Sequence, residues 1–466
     1  MNSLYQNGIF GSPGAGFDNF VALFQNPAFA HVFGNSLLLG FVPNILAILL
    51  ASVAIALISL IRNKSVKLLA YAICAVFAFI PDICVATWIT PLFKTQPAVP
   101  AALILLVMFW QMLKSFSMAS VLGGFAACLF EEIGKRGFLA RYSGLMLYGL
   151  YALANVLTQP TDLSRILFYG RSAAVNFDTF RYQALLTMQL GQSSAAWILR
   201  TVPQLLLGAG ALVMCIFVLK RAGAQKGEEK SGPVPRKSGL GIVLSIVLAA
   251  AAIVCAVLAM VLYAGHSGMP GVGGLRNTVV ITLFASLGFL ILLVLTSFSA
   301  YSAKTAWIPA VLLLLTALSG NIIGQYFYLA STREINELLP VILILAGNVP
   351  LLFMGALFSR IGGLKALRYL LFVVGLFAAG AMGNLLVPLV NISLAESYPL
   401  PLAIYQVLRM PDAIGPGADK ALGSLSGALV MLGLTCWLIF TALLIVIPSR
   451  KNRPTGMNAE TIVRGM

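Results

Sequence analysis

Acidic residues are scarce in this chain: 14 Asp and Glu stand against 30 Lys and Arg in 466 residues, a formal charge of +16. Histidine is scarcer still, with only His31 and His266. Imidazole-based catalysis or metal binding therefore has almost nothing to draw on. The acids Asp162, Asp178, Glu396, Asp412 and Asp419 are too scattered to form a general acid–base pair. The six cysteines (Cys74, Cys84, Cys128, Cys215, Cys255 and Cys436) contain no CxxC pair and have no histidine beside them. That removes the usual zinc spacings and leaves them as small core hydrophobes. The glycine-rich stretches 268–274 and 415–419 lack a following GK[ST] and read as turns, so the chain has no ATP site of its own. An enzyme, a metal site and a resident cofactor are all disfavoured.

What the sequence has in excess is apolar length. Hydrophobic residues make up 60% and charged residues only 9%, more than any soluble core requires. A helix needs about 20 apolar residues to cross the hydrocarbon. Eleven runs meet that ruler, at 33–61, 68–92, 98–128, 143–159, 197–220, 239–264, 277–303, 306–330, 337–357, 369–393 and 425–448. The expected fold class is all-α and polytopic. The third run is long enough to bend or break near Lys114, with the ammonium reaching back to the interface.

The positive charge is spread over short loops, which fits membrane topology better than nucleic-acid binding. Eleven spans put the termini on opposite faces. Placing the C-terminus inside puts 20 of the 30 basic residues on the cytoplasmic side: those in 62–67, 131–142, 220–237, 360–368 and 449–466, and Lys304. Residues 1–32 carry no Lys or Arg, as an extracytoplasmic segment should, and lack the basic start and small-residue cleavage site of an ordinary signal peptide. The localisation expected is a bacterial cell membrane, with the N-terminus outside and the C-terminus in the cytoplasm.

The charged, Gly/Pro/Ser-bearing stretch KRAGAQKGEEKSGPVPRK (220–237) divides the chain. The domain plan is an N-terminal segment 1–32, a first half 33–220, a linker 221–237, a second half 238–449 and a cytoplasmic tail 450–466. The halves follow one in/out plan, with 239–264 an extra span in front of the second. GNSLLLG (34–40) echoes RNTVVIT (276–282), and GFLARY (137–142) echoes GLKALRY (363–369). Such a parallel repeat would make two pseudo-symmetric bundles related by an axis along the membrane normal.

These segments resemble a known family. GFDNFVALFQNPAF with GNSLLLG, IPDI (80–83), Trp110-Gln111 and DTFRYQALLTMQLGQSSAA (178–196) are similar to the first permease subunit of a type I ABC importer of the carbohydrate or oligosaccharide branch. RNTVVIT, SAYS (299–302), NELLPVILIL (336–345) and GNLLVPLVNISLAESYPLPLAIYQVL (383–408) resemble the second. Asn384, Pro388 and Tyr398-Pro399-Leu400 are the most specific part. The resemblance covers nearly the whole chain and implies both permease subunits fused in one. It further implies a cytoplasmic ABC ATPase dimer that binds the ATP, an extracytoplasmic solute-binding protein meeting 160–196 and 394–424, and a small carbohydrate as substrate.

Permeases of that family couple to the ATPase through a cytoplasmic loop of the form E-A-A-x-x-x-G. Here that loop is degenerate. The first half keeps Glu131, Glu132 and Gly137, with Arg141 beyond, but both alanines are gone. The second half has FSRIGGLKALR (358–368), with Arg360 and Arg368 and no acid.

A carboxylate within an apolar span is costly and usually has a partner or a task. Asp82 reads either as a helix-end residue reaching outer water or as an acceptor for sugar hydroxyls. Trp88, Trp110, Gln111, Asn321, Gln325 and Tyr328 supply the aromatic faces and amides that a sugar site uses; the same amides serve equally as interhelical contacts. The expected function is the transmembrane permease of a sugar importer driven by a separate ATPase. The alternatives are a degenerate permease acting as an anchor or sensor, and an importer of ferric ion or a polyamine.

Overall fold

Asparagine and proline mark several of the helix starts, at Asn26-Pro27, Asn63, Pro81 and Asn348. A computed structural model describes residues 17–93, 101–135, 137–156, 163–168, 176–177, 180, 184, 190–224, 239–264, 274–301, 305, 307–316, 336–409 and 417–447. Among these, all regular structure is helical, and eight helices are long and apolar enough to cross a membrane. The protein is an all-α, multi-pass membrane protein.

In the first half, α1 (Asp18–Gln25) leads into α2 (Pro27–Ser59). Asn26 caps α2 by accepting from the Ala28 amide at 3.0 Å, and Pro27 fills a position where no N–H is needed. Next come α3 (Lys64–Cys74), a 3-10 turn (Val76–Phe79) and α4 (Asp82–Ile89). Two long helices follow, α5 (Ala101–Glu132) and α6 (Phe138–Ala154), then the short α7 (Leu163–Phe168) and α8 (Leu190–Ala224).

The second half begins with α9 (Gly239–Ala264), which lies along the last helix of the chain. It continues through α10 (Gly274–Tyr301), α11 (Ile308–Leu315), α12 (Leu338–Ala346) and α13 (Val349–Gly362). The remaining helices are α14 (Leu367–Gly383), α15 (Leu386–Asn391), α16 (Leu400–Arg409) and α17 (Ala418–Val446).

Two expectations are corrected. The run 68–92 is not one helix: Pro81 has no N–H to donate and pushes Ile80 into an extended conformation (φ −91°, ψ 120°), so the helix stops and restarts. No break occurs near Lys114: α5 runs uninterrupted past it. Of the other runs, 143–159 appears as the 17-residue α6, and 306–330 is described only as far as residue 316.

The break is held between the halves. Gly433 of α17 lies so close to the Phe79 carbonyl that a Cβ there would stand 2.2 Å from its oxygen. Glycine at that position lets the final helix close on the interrupted one.

The sequence echoes have conformational counterparts. Ser36 Oγ donates to the Val32 carbonyl at 2.7 Å and accepts from the Phe177 amide at 2.8 Å. Thr278 Oγ1 likewise donates to the Gly274 carbonyl at 2.6 Å and accepts from the Leu400 amide at 2.6 Å. Each hydroxyl thus ties down the backbone of a later segment of its own half. Gly137 (φ 138°) and Gly363 (φ 55°) both adopt backbone conformations that favour glycine just before the return helix.

Candidate functional site

Two charged groups define the candidate site, one at the helix break and one at an end of the bundle. At the break, the Ile80 carbonyl has lost its helical partner, and Lys114 of α5 donates to it. The same ammonium lies 3.4 Å from Asp82 Oδ1 and 5.4 Å from the centre of the Trp110 ring. Trp110 Nε1 donates to Asp82 Oδ1 at 2.8 Å. Asp82 occupies the first turn of α4, where the helix dipole favours a negative charge. A carboxylate, a cation, an indole and a main-chain carbonyl are thereby gathered at one interrupted helix.

The second group lies far from the first. Lys114 precedes Glu132 by 18 residues on α5, roughly 27 Å along the axis at about 1.5 Å per residue. There the start of α3, the end of α5 and the start of α14 converge. Glu132 Oε1 accepts from Arg368 and from the Tyr369 hydroxyl at 2.6 Å, and Lys64 Nζ lies 3.1 Å away. The Glu132 and Arg368 side chains are each 4% exposed. Lys365 donates to the Glu132 carbonyl at 3.3 Å, while Lys67 pairs with Glu131 at 2.9 Å. Burial pulls the Lys64 ammonium below the ordinary lysine range, and the Glu132 carboxylate opposes that shift.

The residues expected to form the site divide accordingly. Asp82 and Trp110 do meet, and their cation is Lys114. Gln111 is fully buried with neither amide atom hydrogen-bonded, whereas Trp88 is 56% exposed. Asn321, Gln325 and Tyr328 lie outside the described residues. Of the coupling-loop residues, Glu131 stays exposed, Arg141 is exposed on the first turn of α6, and Arg360 sits half-buried in the last turn of α13. Glu132 and Arg368, expected to face a partner, face each other across the halves. Sequence reasoning missed Lys64, Lys114 and Tyr369 as partners. Their signal is present only in part: a buried acid requires a cation, but a pairing such as Tyr369 with Glu132, 237 positions apart, leaves no local pattern.

At the opposite end, the stretches 276–282, 336–345 and 383–408 hold one another. Asn336, in the left-handed region at φ 76°, accepts through Oδ1 from the Ser393 amide at 2.6 Å and the Leu394 amide at 3.2 Å. Asn277 Nδ2 donates to the Glu396 carbonyl at 2.8 Å. The segment between α15 and α16 is thus pinned to α10 and to the residues preceding α12.

No family model matches the chain, and no curated protein or solved structure matches it.

Proposed function

We propose that this protein is a solute permease, the transmembrane component of an ABC importer for a sugar or oligosaccharide, with both permease units in one chain. The observation that carries the reading is the interrupted helix at Ile80-Pro81. Irregular backbone at membrane depth is tolerated where it is buried in protein or lines a polar route, and discontinuous helices are a recurring way to present backbone groups to a solute. Here the break displays Asp82 and the Trp110 indole, groups suited to hydroxyls and a C–H face, and it abuts α17 of the other half. The matched roles of Ser36 and Thr278, and of Gly137 and Gly363, support a parallel repeat. Arg62, Lys64, Lys67, Lys135, Arg141, Arg360, Lys365 and Arg368 belong to three segments that converge at one end of the bundle, which supports that end being cytoplasmic.

In this reading a separate ATPase dimer binds ATP and engages the end bearing Glu131, the loop acid that remains exposed. An extracytoplasmic binding protein meets the segment after α15. Purification of the tagged protein from its native membrane tests the proposal. An ATPase should copurify, and Glu131→Ala should lose it while leaving the fold intact. Recovery of intact protein with no ATPase would count against the importer.

A second reading has its own support. Glu132 is 4% exposed and its Oε1 is held by Arg368 and Tyr369, which withdraws the side chain from any partner. That favours a permease that no longer pumps and serves as a membrane anchor or sensor.

A further inference from the structure

The two halves meet, below the helix break, through a continuous column of side chains. Phe79 lies three residues before Asp82, and its ring is 5.6 Å from that of Phe372. Phe372 and Tyr369 each stand 5.1 Å from Phe125, and Phe358 stands 6.2 Å from it. Phe79 and Phe125 belong to the first half and the other three rings to the second. All five are fully buried. Beyond them, at the end of the same helices, lie Glu132 and Arg368, again one from each half.

We propose that this column is a two-layer inner closure, with an aromatic plug next to the helix break and the Glu132–Arg368 pair as a latch that separates when the inner end opens. The inference rests on the transport reading, to which it adds how the route is shut. Three observations favour a latch over permanent glue. Glu132 Oε2 and Arg368 Nε are buried without a hydrogen-bond partner, so the pair is not saturated as a fixed ionic core would be. Its members come from the chain ends of α5 and α14, where neighbouring groups are exposed and separated charges can be rehydrated. An apolar contact at the same place would hold as well while closed, but on opening it would expose apolar surface to water. The Tyr369 hydroxyl donates to Glu132 while its ring packs on Phe125, so a move of Arg368 is transmitted to the plug.

Two native thiols can report on this. Cys128 lies one turn before Glu132 and is buried; Cys84 lies two residues after Asp82 and is buried at the break. With the other four cysteines replaced by alanine, a small water-soluble methanethiosulfonate applied to the inner face of membrane vesicles should modify neither thiol quickly. Glu132→Gln and Arg368→Gln should each speed modification of Cys128 about tenfold and leave Cys84 unchanged. Unchanged Cys128 in both single variants would overturn the latch, as would parallel exposure of Cys84. Solute uptake is a separate readout, so loss of the transport reading leaves these rates interpretable.

Discussion

The Asp82–Lys114 pair and the Glu132–Arg368 pair use the same chemistry in different places. The first joins α4 and α5 within one half, and its side chains are 13% and 18% exposed. The second joins two halves, and its side chains are 4% exposed each. The first answers a local need, a carbonyl freed by Pro81 and an acid at a helix start. No such local need calls for the second, since α5 and α14 are intact where it forms. A charge that repairs a helix break is required wherever the break is, whereas a charge that bridges two bundles sets how those bundles sit together.

Variants can break that contrast in graded steps. Arg368→Ala leaves the Glu132 carboxylate buried with Lys64 as its remaining cation, and should cost about 3–5 kcal/mol, seen as a large drop in melting temperature in detergent. Lys114→Ala removes the cation from a less buried acid and uncaps Ile80; about 1.5–3 kcal/mol is expected from the loss of charged hydrogen bonds. Equal losses in the two would erase the distinction. Asp82→Asn keeps an acceptor for Trp110 and should cost about 1 kcal/mol while reducing solute transport several-fold. An Asp82→Asn protein with unchanged uptake would return Asp82 to a purely structural role. Glu131→Ala is the mildest: the side chain is 55% exposed, and exposed ion pairs are worth under about 1 kcal/mol, so melting should barely move.

Much of the architecture could be read from apolar length alone, because a span is a local property of about 20 residues. Eight of the eleven runs coincide with the long apolar helical stretches described, including 239–264 and 425–448. The break at 80–81 was legible in principle, since Ile80-Pro81-Asp82 carries a proline followed by a residue suited to a helix start, yet hydropathy averages across it. As an intramembrane charge, Lys114 suggests a bend or break in its own helix. It serves a break in a neighbour instead, which depends on how α5 packs against the Ile80 segment and not on any spacing along the chain. The residues expected in the coupling loops gather at one end of the bundle, but the mutual capture of Glu132 and Arg368 depends on the halves meeting there.

The permease reading itself is tested most directly by solute uptake. Native-membrane preparations of the tagged protein, with whatever ATPase copurifies, are reconstituted into proteoliposomes with ATP on the side of the linker 221–237. Labelled oligosaccharides are then offered on the opposite side. The account predicts accumulation that requires hydrolysable ATP and falls several-fold in Asp82→Asn. Intact protein that accumulates no carbohydrate, with an ATPase present and hydrolysing, would contradict it.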